Sequence, residues 1–162
     1  MTITIRRAGP LDARPLAELL NEVIAAGGTT AMTRTVDAGD LRDWMTRCPD
    51  RTAWHLAEDD AGEIMGVQWI EPADDLPDEV AEIATFARHG RTGLGIGSAL
   101  FRETERAASA LGYRWINADI RADNMGGLAY YHSRGFEDHG MKRGVALGNG
   151  QTVDKVLKRY EL

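Results

Sequence analysis

The sequence predicts an α+β fold: a mixed, mostly antiparallel sheet of about seven strands flanked by about four helices. Three observations predict it. The apolar periodicity alternates between strand-like and helix-like segments in the order β-α-α-β-β-β-α-β-α-β-β. A strand–helix–strand unit in the middle of that order requires a parallel pair, whereas the hairpins on either side give antiparallel ones. No repeat, low-complexity segment or linker interrupts the chain, so residues 1–162 are expected to form a single domain.

Each element has a local reason. Ile3 and Ile5 alternate with polar residues over Thr2 to Arg7, a short strand broken by Gly9-Pro10. Leu16, Leu19, Leu20, Val23 and Ile24 share one helical face. Pro15 is tolerated only near a helix start, which places that start at Leu11 or Asp12, and Gly27-Gly28 stop the helix. After the polar loop Thr29 to Thr35, a second helix runs from Ala38 to Arg47 with Leu41, Trp44 and Met45 on one side. Strands from Thr52 to Glu58 and from Ile64 to Ile70 form a hairpin around Asp59-Asp60-Ala61-Gly62. The second of these is apolar on both faces and is placed centrally. Pro72 to Glu79 is a loop carrying Asp74, Asp75, Asp78 and Glu79. It reads as a solvated loop, or more sharply as an electrostatic rim for a cationic substrate.

Val80 to Ala87 is the fourth strand. A helix from Ile96 to Leu111 turns Leu100, Ala107, Ala108 and Leu111 inward and is capped by Gly112. Tyr113 to Arg121 is the fifth strand, with Ile116, Ala118 and Ile120 on one face. A short helix from Asn124 to Arg134 ends at Gly135. Phe136 opens a sixth strand, and Gly148-Asn149-Gly150 turns it into a last one, Thr152 to Tyr160. That last strand lacks clean alternation, and its register is left open.

Composition narrows the function. Hydrophobic residues make up 43% and charged residues 27%, as in ordinary globular domains. The net charge of −6 argues against nucleic acid, which wants a basic face, and is compatible with amine substrates. Cys48 is the lone cysteine, so no internal disulfide forms, and without a placed base it reads as a bystander. His55, His89, His132 and His139 show no metal-ligand spacing, and no metal is expected. No segment is long and apolar enough to be a signal or to span a membrane, so the cytoplasm is the expected location.

The most informative stretch is Arg91-Thr92-Gly93-Leu94-Gly95-Ile96-Gly97-Ser98, where a strand turns into a helix. Glycines end strands for steric reasons alone, but here they also precede a helix. The first-turn N–H groups and the helix dipole make an anion site, and glycine lets backbone approach a ligand. Spacing excludes the common nucleotide loops. A Walker loop needs Lys-Ser or Lys-Thr after its last glycine, where Ile96 or Ser98 stands. A dinucleotide fingerprint would need a further glycine at Ser98 or Leu100. A methyltransferase loop would carry an acid at Arg91.

A second block follows the fifth strand. Asn124, Gly127, Tyr131, Gly135 and Phe136 keep the pattern Asn-x-x-(small)-x-x-x-Tyr-x-x-x-Gly-Phe. With Gly95-Ile96-Gly97 one helix and one strand upstream, this resembles the GNAT superfamily of N-acetyltransferases, over essentially the whole chain. Within it, Thr29-Thr30, Thr35-Val36-Asp37, Trp44 and Ala81-Glu82 are similar to the phosphinothricin and amino-acid N-acetyltransferase group. The resemblance implies acetyl-CoA as co-substrate. Its pyrophosphate would lie on backbone from Thr92 through Gly93, Leu94, Gly95 and Ile96 to Gly97, with Ser98 at the helix start. The family usually has Gln or Arg at the position of Thr92. Arg91 is one residue early, so it either adds charge from the neighbouring position or points to solvent. Pantetheine would run between splayed fourth and fifth strands and pair with Thr85, Phe86 and Ala87. Tyr131 would face the CoA sulfur, and Asn124 would bond pantetheine or orient its helix. Similar proteins are commonly dimers, and a homodimer is expected although no interface is readable. The amino-acid enzymes tend to carry arginine near the start of the fourth strand. Here that region is acidic, which makes a plain amine or polyamine the substrate to consider.

The expected reaction transfers the acetyl group to the primary amine of a small molecule by direct attack on the thioester. An amine of Lys-like pKa is neutral in only about one part in a few thousand at pH 7, a cost of about 4–5 kcal/mol that a placed base partly offsets. Glu82 is the candidate base, on the strand face shared with Ala84 and Phe86; burial would raise its pKa toward the working pH. Its plainer reading is a salt-bridged strand residue. Tyr131 is the candidate acid for the departing thiolate, or else a packing tyrosine. Tyr130 reads as packing, His132 points elsewhere, and His89 is a lesser candidate for the phosphate or adenosine end. The alternative function is a catalytically silent CoA-binding sensor or interaction module; retention of Glu82 and Tyr131 argues against it.

Overall fold

A computed structural model describes residues 2–88 and 95–162. The expected order of elements is present in full. β1 (Thr4–Arg7) leads through a 3-10 turn at Pro10–Asp12 to α1 (Ala13–Ala26) and α2 (Ala38–Thr46). Then come β2 (Ala53–Glu58), β3 (Ile64–Glu71), β4 (Val80–Ala87), α3 (Ile96–Ala110), β5 (Trp115–Arg121), α4 (Met125–Ser133), β6 (Glu137–Ala146) and β7 (Thr152–Glu161). The 3-10 turn accommodates Pro10 and delays α1, so Pro15 falls in its first turn, where a missing N–H costs no helix bond. Asp37 caps α2 reciprocally with Asp40, its Oδ1 accepting from the Asp40 N–H at 2.8 Å.

The strands form one sheet in the order β1-β2-β3-β4-β5-β7-β6, antiparallel throughout except between β4 and β5. β3 is central, as its two apolar faces require. α1 and α2 cover one face, where Leu16, Leu20, Leu41 and Met45 meet Trp54, Val67, Trp69 and Phe86. Trp54 stacks on Trp69 at 4.0 Å and Trp69 on Phe86 at 5.5 Å, an aromatic row across three strands. α3 and α4 cover the other face, where Phe101, Ala108 and Tyr131 meet Ala81, Ile83, Ile116 and Phe136. The buried stripe of α3 is Ile96, Leu100, Phe101, Thr104 and Ala108, so Leu100 and Ala108 are inward as expected, Ile96, Phe101 and Thr104 join them, and Ala107 and Leu111 are only half-buried at its margin.

Two features of this sheet position the site. β4 and β5 pair only at Val80↔Trp115, Ala81↔Ile116 and Glu82↔Asn117. Beyond that, β4 continues to Ala87 and β5 to Arg121 without pairing to each other, so a gap opens between them. The edge strand β6 slips register against β7 twice, between Asp138 and Gly140 and between Lys142 and Val145. Both extra residues lie in β6, so they break its alternation and not that of β7, whose register is now set by its pairing with β5 and β6.

Candidate active site

The gap between β4 and β5 has chemistry on both faces. Glu82 stands where the pairing ends, on the face of Ala84 and Phe86. Neighbouring Asn117 is buried and points its Nδ2 at Glu82 Oε2, 3.4 Å away. Burial pushes the Glu82 carboxyl up to about 7, and the nearby Asp119 adds to this. The Asn117 bond and Lys142 pull the other way. The carboxyl is thus poised near neutrality, where a base is most useful.

Alternation puts Thr85 on the opposite face, toward α4. Its Oγ1 lies 2.7 Å from the Tyr131 hydroxyl and accepts from Gln68 Nε2 at 2.9 Å. Burial raises the Tyr131 phenol well above its ordinary value, so it is a neutral donor at any physiological pH. The same Gln68 amide donates to the Tyr130 hydroxyl at 3.0 Å, which in turn donates to the Gly97 carbonyl at 2.7 Å. Tyr130 is therefore more than packing: it ties the first turn of α3 to the Thr85–Tyr131 pair. A Cβ on Gly97 would fall 2.5 Å from the Tyr130 ring, so the ring itself requires glycine there.

The expected phosphate end lies only partly within the described residues. His89 and the segment Arg91, Thr92, Gly93 and Leu94 lie outside them. Gly95 is the N-cap of α3 in the left-handed region, φ 75°, which glycine adopts without strain. It has no side chain to spend on the first-turn N–H groups, and no acid stands in that turn. Ile96 is buried under Gly66. Ser98 Oγ accepts from the Arg134 guanidinium, which also sits 6.0 Å from the Tyr130 ring centroid. A positive charge beside a helix N-terminus that no described side chain caps suits a phosphate. The unpaired edge of β4 suits an extended amide chain. The residues present therefore fit the pyrophosphate and pantetheine of CoA.

Asn124 caps α4, accepting from Gly127 N–H at 3.0 Å and donating to Thr29 carbonyl at 3.2 Å. A Cβ on Gly127 would run into that amide, which accounts for the small residue three positions after the asparagine. Both polar atoms of Asn124 are used in orienting α4 and the loop after α1. His132 is exposed on α4.

The acidic loop is not a bare negative rim. Lys142 bonds Asp75 at 3.1 Å and Asp119 at 2.8 Å, and Arg114 stands 3.7 Å from Glu79. Sequence reasoning passed over Asn117, His139 and Lys142 on the Glu82 face, and Gln68 and Arg134 on the other. Gln68 did carry a signal, being an amide inside the otherwise apolar run Ile64 to Ile70, whereas Asn117 shares its strand with Asp119 and Arg121 and does not stand out. Among the described residues no group of three or more His, Cys, Asp or Glu is placed to hold a metal ion. Among them, too, no helix is long and apolar enough to cross a membrane.

Known proteins share this architecture. The family model described as "Acetyltransferase (GNAT) family" matches residues 16–136. A Bacillus subtilis (strain 168) protein named "Putative phosphinothricin acetyltransferase YwnH" is 29% identical over 160 residues, spanning 97% of this chain and 98% of its own. Phosphinothricin N-acetyltransferase of Streptomyces viridochromogenes is 23% identical over 150 residues, spanning 91% and 81%. The crystal structure of a GNAT superfamily phosphinothricin acetyltransferase from Sinorhizobium meliloti in complex with AcCoA has the same fold, with a TM-score of 0.88 at 23% identity over 100% and 89% of the two chains.

Proposed function

The chain belongs to the acetyltransferase (GNAT) family, and from that premise we propose that it acetylates the primary amine of a small molecule by direct attack on the thioester. Its activity is acetyl-CoA-dependent N-acetyl transfer. The observation that carries the finer reading is the parting of β4 and β5 immediately after Glu82↔Asn117, with Glu82 on one face and Tyr131 on the other. A thioester lying in that gap meets a base from one side and a hydroxyl donor from the other.

The segment Thr85, Phe86 and Ala87, paired with β3 on one edge, offers its open edge toward β5 to the pantetheine amides, and Gly95, Ile96, Gly97 and Ser98 offer first-turn N–H groups to the pyrophosphate. Arg91, Thr92, Gly93 and Leu94 complete that cradle in this reading, and Arg134 supplies a cation. Asn124 keeps α4 in place. The thioester supplies an activated acetyl group whose C–S bond breaks as the new C–N bond forms. Glu82, directly or through a water, takes the proton that the attacking nitrogen loses. Tyr131 turns its hydroxyl from Thr85 to the departing sulfur, and Thr85 keeps its bond from Gln68. Tyr131 gives that sulfur its proton, so CoA leaves as the thiol; Glu82 then loses the amine's proton to solvent and Tyr131 regains one from solvent, which restores both groups.

The test is thiol release from acetyl-CoA with a panel of amines, polyamines and amino acids, beside calorimetric titration of acetyl-CoA. Turnover on some members supports the proposal. Tight acetyl-CoA binding with no turnover on any would contradict it and favour a CoA sensor.

A further inference from the structure

We propose that His139 is a positioning residue for the base: an extra residue inserted into β6 reaches across the sheet and holds the Asn117 amide with its Nδ2 toward Glu82. This rests on the reading of Glu82 as the base. β6 is the edge strand, and β7 lies between it and β5. Asp138 pairs with Lys158 and Gly140 with Leu157, so His139 is the unpaired residue of a bulge. Bulges re-aim side chains, and this one sends the imidazole over β7. The ring meets Trp115 of β5 edge-on, at 5.4 Å and 84°, and its Nε2 lies 2.6 Å from Asn117 Oδ1.

The bond has a direction. Asn117 Oδ1 accepts only, so Nε2 carries the hydrogen, and it does so whether the ring is neutral or charged. With Oδ1 occupied, the buried amide must present Nδ2 to Glu82 Oε2. Rotated by a half turn, the amide would set its oxygen against the carboxylate, favouring the protonated acid. His139 thereby selects the rotamer that favours the ionised base.

The other groups facing Glu82 are Asp119 of β5, Asp75 of the loop before β4, and Lys142 of β6. Glu71 lies opposite on β3. Those facing His139 are Arg159 of β7, which also lies over the Trp115 ring, and Asn117 and Trp115 of β5. Lys142, the last regularly paired residue before the second register shift of the same edge strand, is held beside Asp119 and Asp75. Only the bulge at His139 re-aims a side chain toward Asn117; Lys142 is still paired with Lys155.

The experiment is the pH dependence of kcat/KM for the whole enzyme with its best amine. Glu82→Gln comes first. Loss of the acidic limb upholds the base; a retained limb sinks that reading, and this inference with it. Given a Glu82 limb, His139→Ala should move it up by about half to one pH unit, the loss of a long hydrogen bond to the charged form. His139→Phe keeps a ring against Trp115 without a donor and should move it equally; His139→Gln restores a donor and should return it toward wild type. Asn117→Ala should move the limb as far, and His139→Ala should add nothing in that background. A limb unmoved by both His139→Ala and His139→Phe, or additive shifts in the double variant, would overturn the proposal while leaving Glu82 as the base.

Discussion

A single methyl group on Gly97 separates two explanations of that glycine. Resemblance assigns it to close approach of phosphate, whereas the structure shows the Tyr130 ring where its Cβ would go. The nearest ring carbon would be 2.5 Å away and two more 3.3 Å, against ordinary contact from 3.4 Å. The ring must retreat by about 0.9 Å, the difference between 3.4 and 2.5 Å. It is tethered by its bond to the Gly97 carbonyl at 2.7 Å and by Gln68 at 3.0 Å. Overpacking of this kind costs about 1–3 kcal/mol and a lost hydrogen bond about 0.5–1.5 kcal/mol, so Gly97→Ala should cost about 2–4 kcal/mol. For a chain of this size that is a fall in Tm of roughly 4–16 °C. Thermal unfolding of wild type, Gly97→Ala, Tyr130→Leu and the double variant measures it. In the Tyr130→Leu background Gly97→Ala should cost little, and acetyl-CoA binding should be unaffected by it. An equal stability loss in both backgrounds, or none in either, would refute the argument. Binding kept in Tyr130→Leu but lost in the double variant would return Gly97 to the ligand.

Further outcomes follow from the same contacts. Tyr131→Phe should lower kcat by roughly 10²-fold or more while acetyl-CoA affinity stays within a few-fold, because Thr85 keeps its bond from Gln68; stopped-flow turnover and calorimetry separate the two. Arg134→Ala should raise KM for acetyl-CoA by roughly 5–30-fold, the equivalent of about 1–2 kcal/mol, with kcat little changed. Glu82 makes stability pH-dependent. Its carboxyl lies at about 7 in the folded state against 4.5 ordinarily, so the folded state holds the proton more tightly. The stability this contributes is full below 4.5 and lost as pH rises through about 7. At about 1.4 kcal/mol per pH unit the change is about 3 kcal/mol. Glu82→Gln should remove it, gaining stability relative to wild type between pH 4 and pH 8 in urea titrations.

Much of the fold is legible in the sequence because its signals are local. Periodicity and the breakers Gly27-Gly28, Pro49, Gly112 and Gly135 place the elements, and the gap between β4 and β5 is implied by the family resemblance that the glycines before α3 and the asparagine before α4 carry. Glu82 is legible as the one charged residue of the strand Val80–Ala87. What depends on sheet pairing is not. The bulge at His139 exists only against β7, and inserting a residue erases the alternation that would have announced it. Lys142 neutralises Asp75 from a strand far along the chain, so the acidic loop looked barer than it is. Tyr130 differs from Tyr131 only in which neighbour its helical position faces, Gly97 or Thr85, a distinction that needs the packed α3.

The central claim, that Glu82 removes the proton from an amine attacking a thioester held between β4 and β5, is tested most directly by kcat/KM against pH for wild type and Glu82→Gln. The wild-type profile should rise through about pH 7 as Glu82 ionises and then with the neutral fraction of the amine. Glu82→Gln should lose the first of these rises and be slower throughout. A Glu82→Gln profile that keeps the rise near pH 7 at wild-type rates would contradict the account.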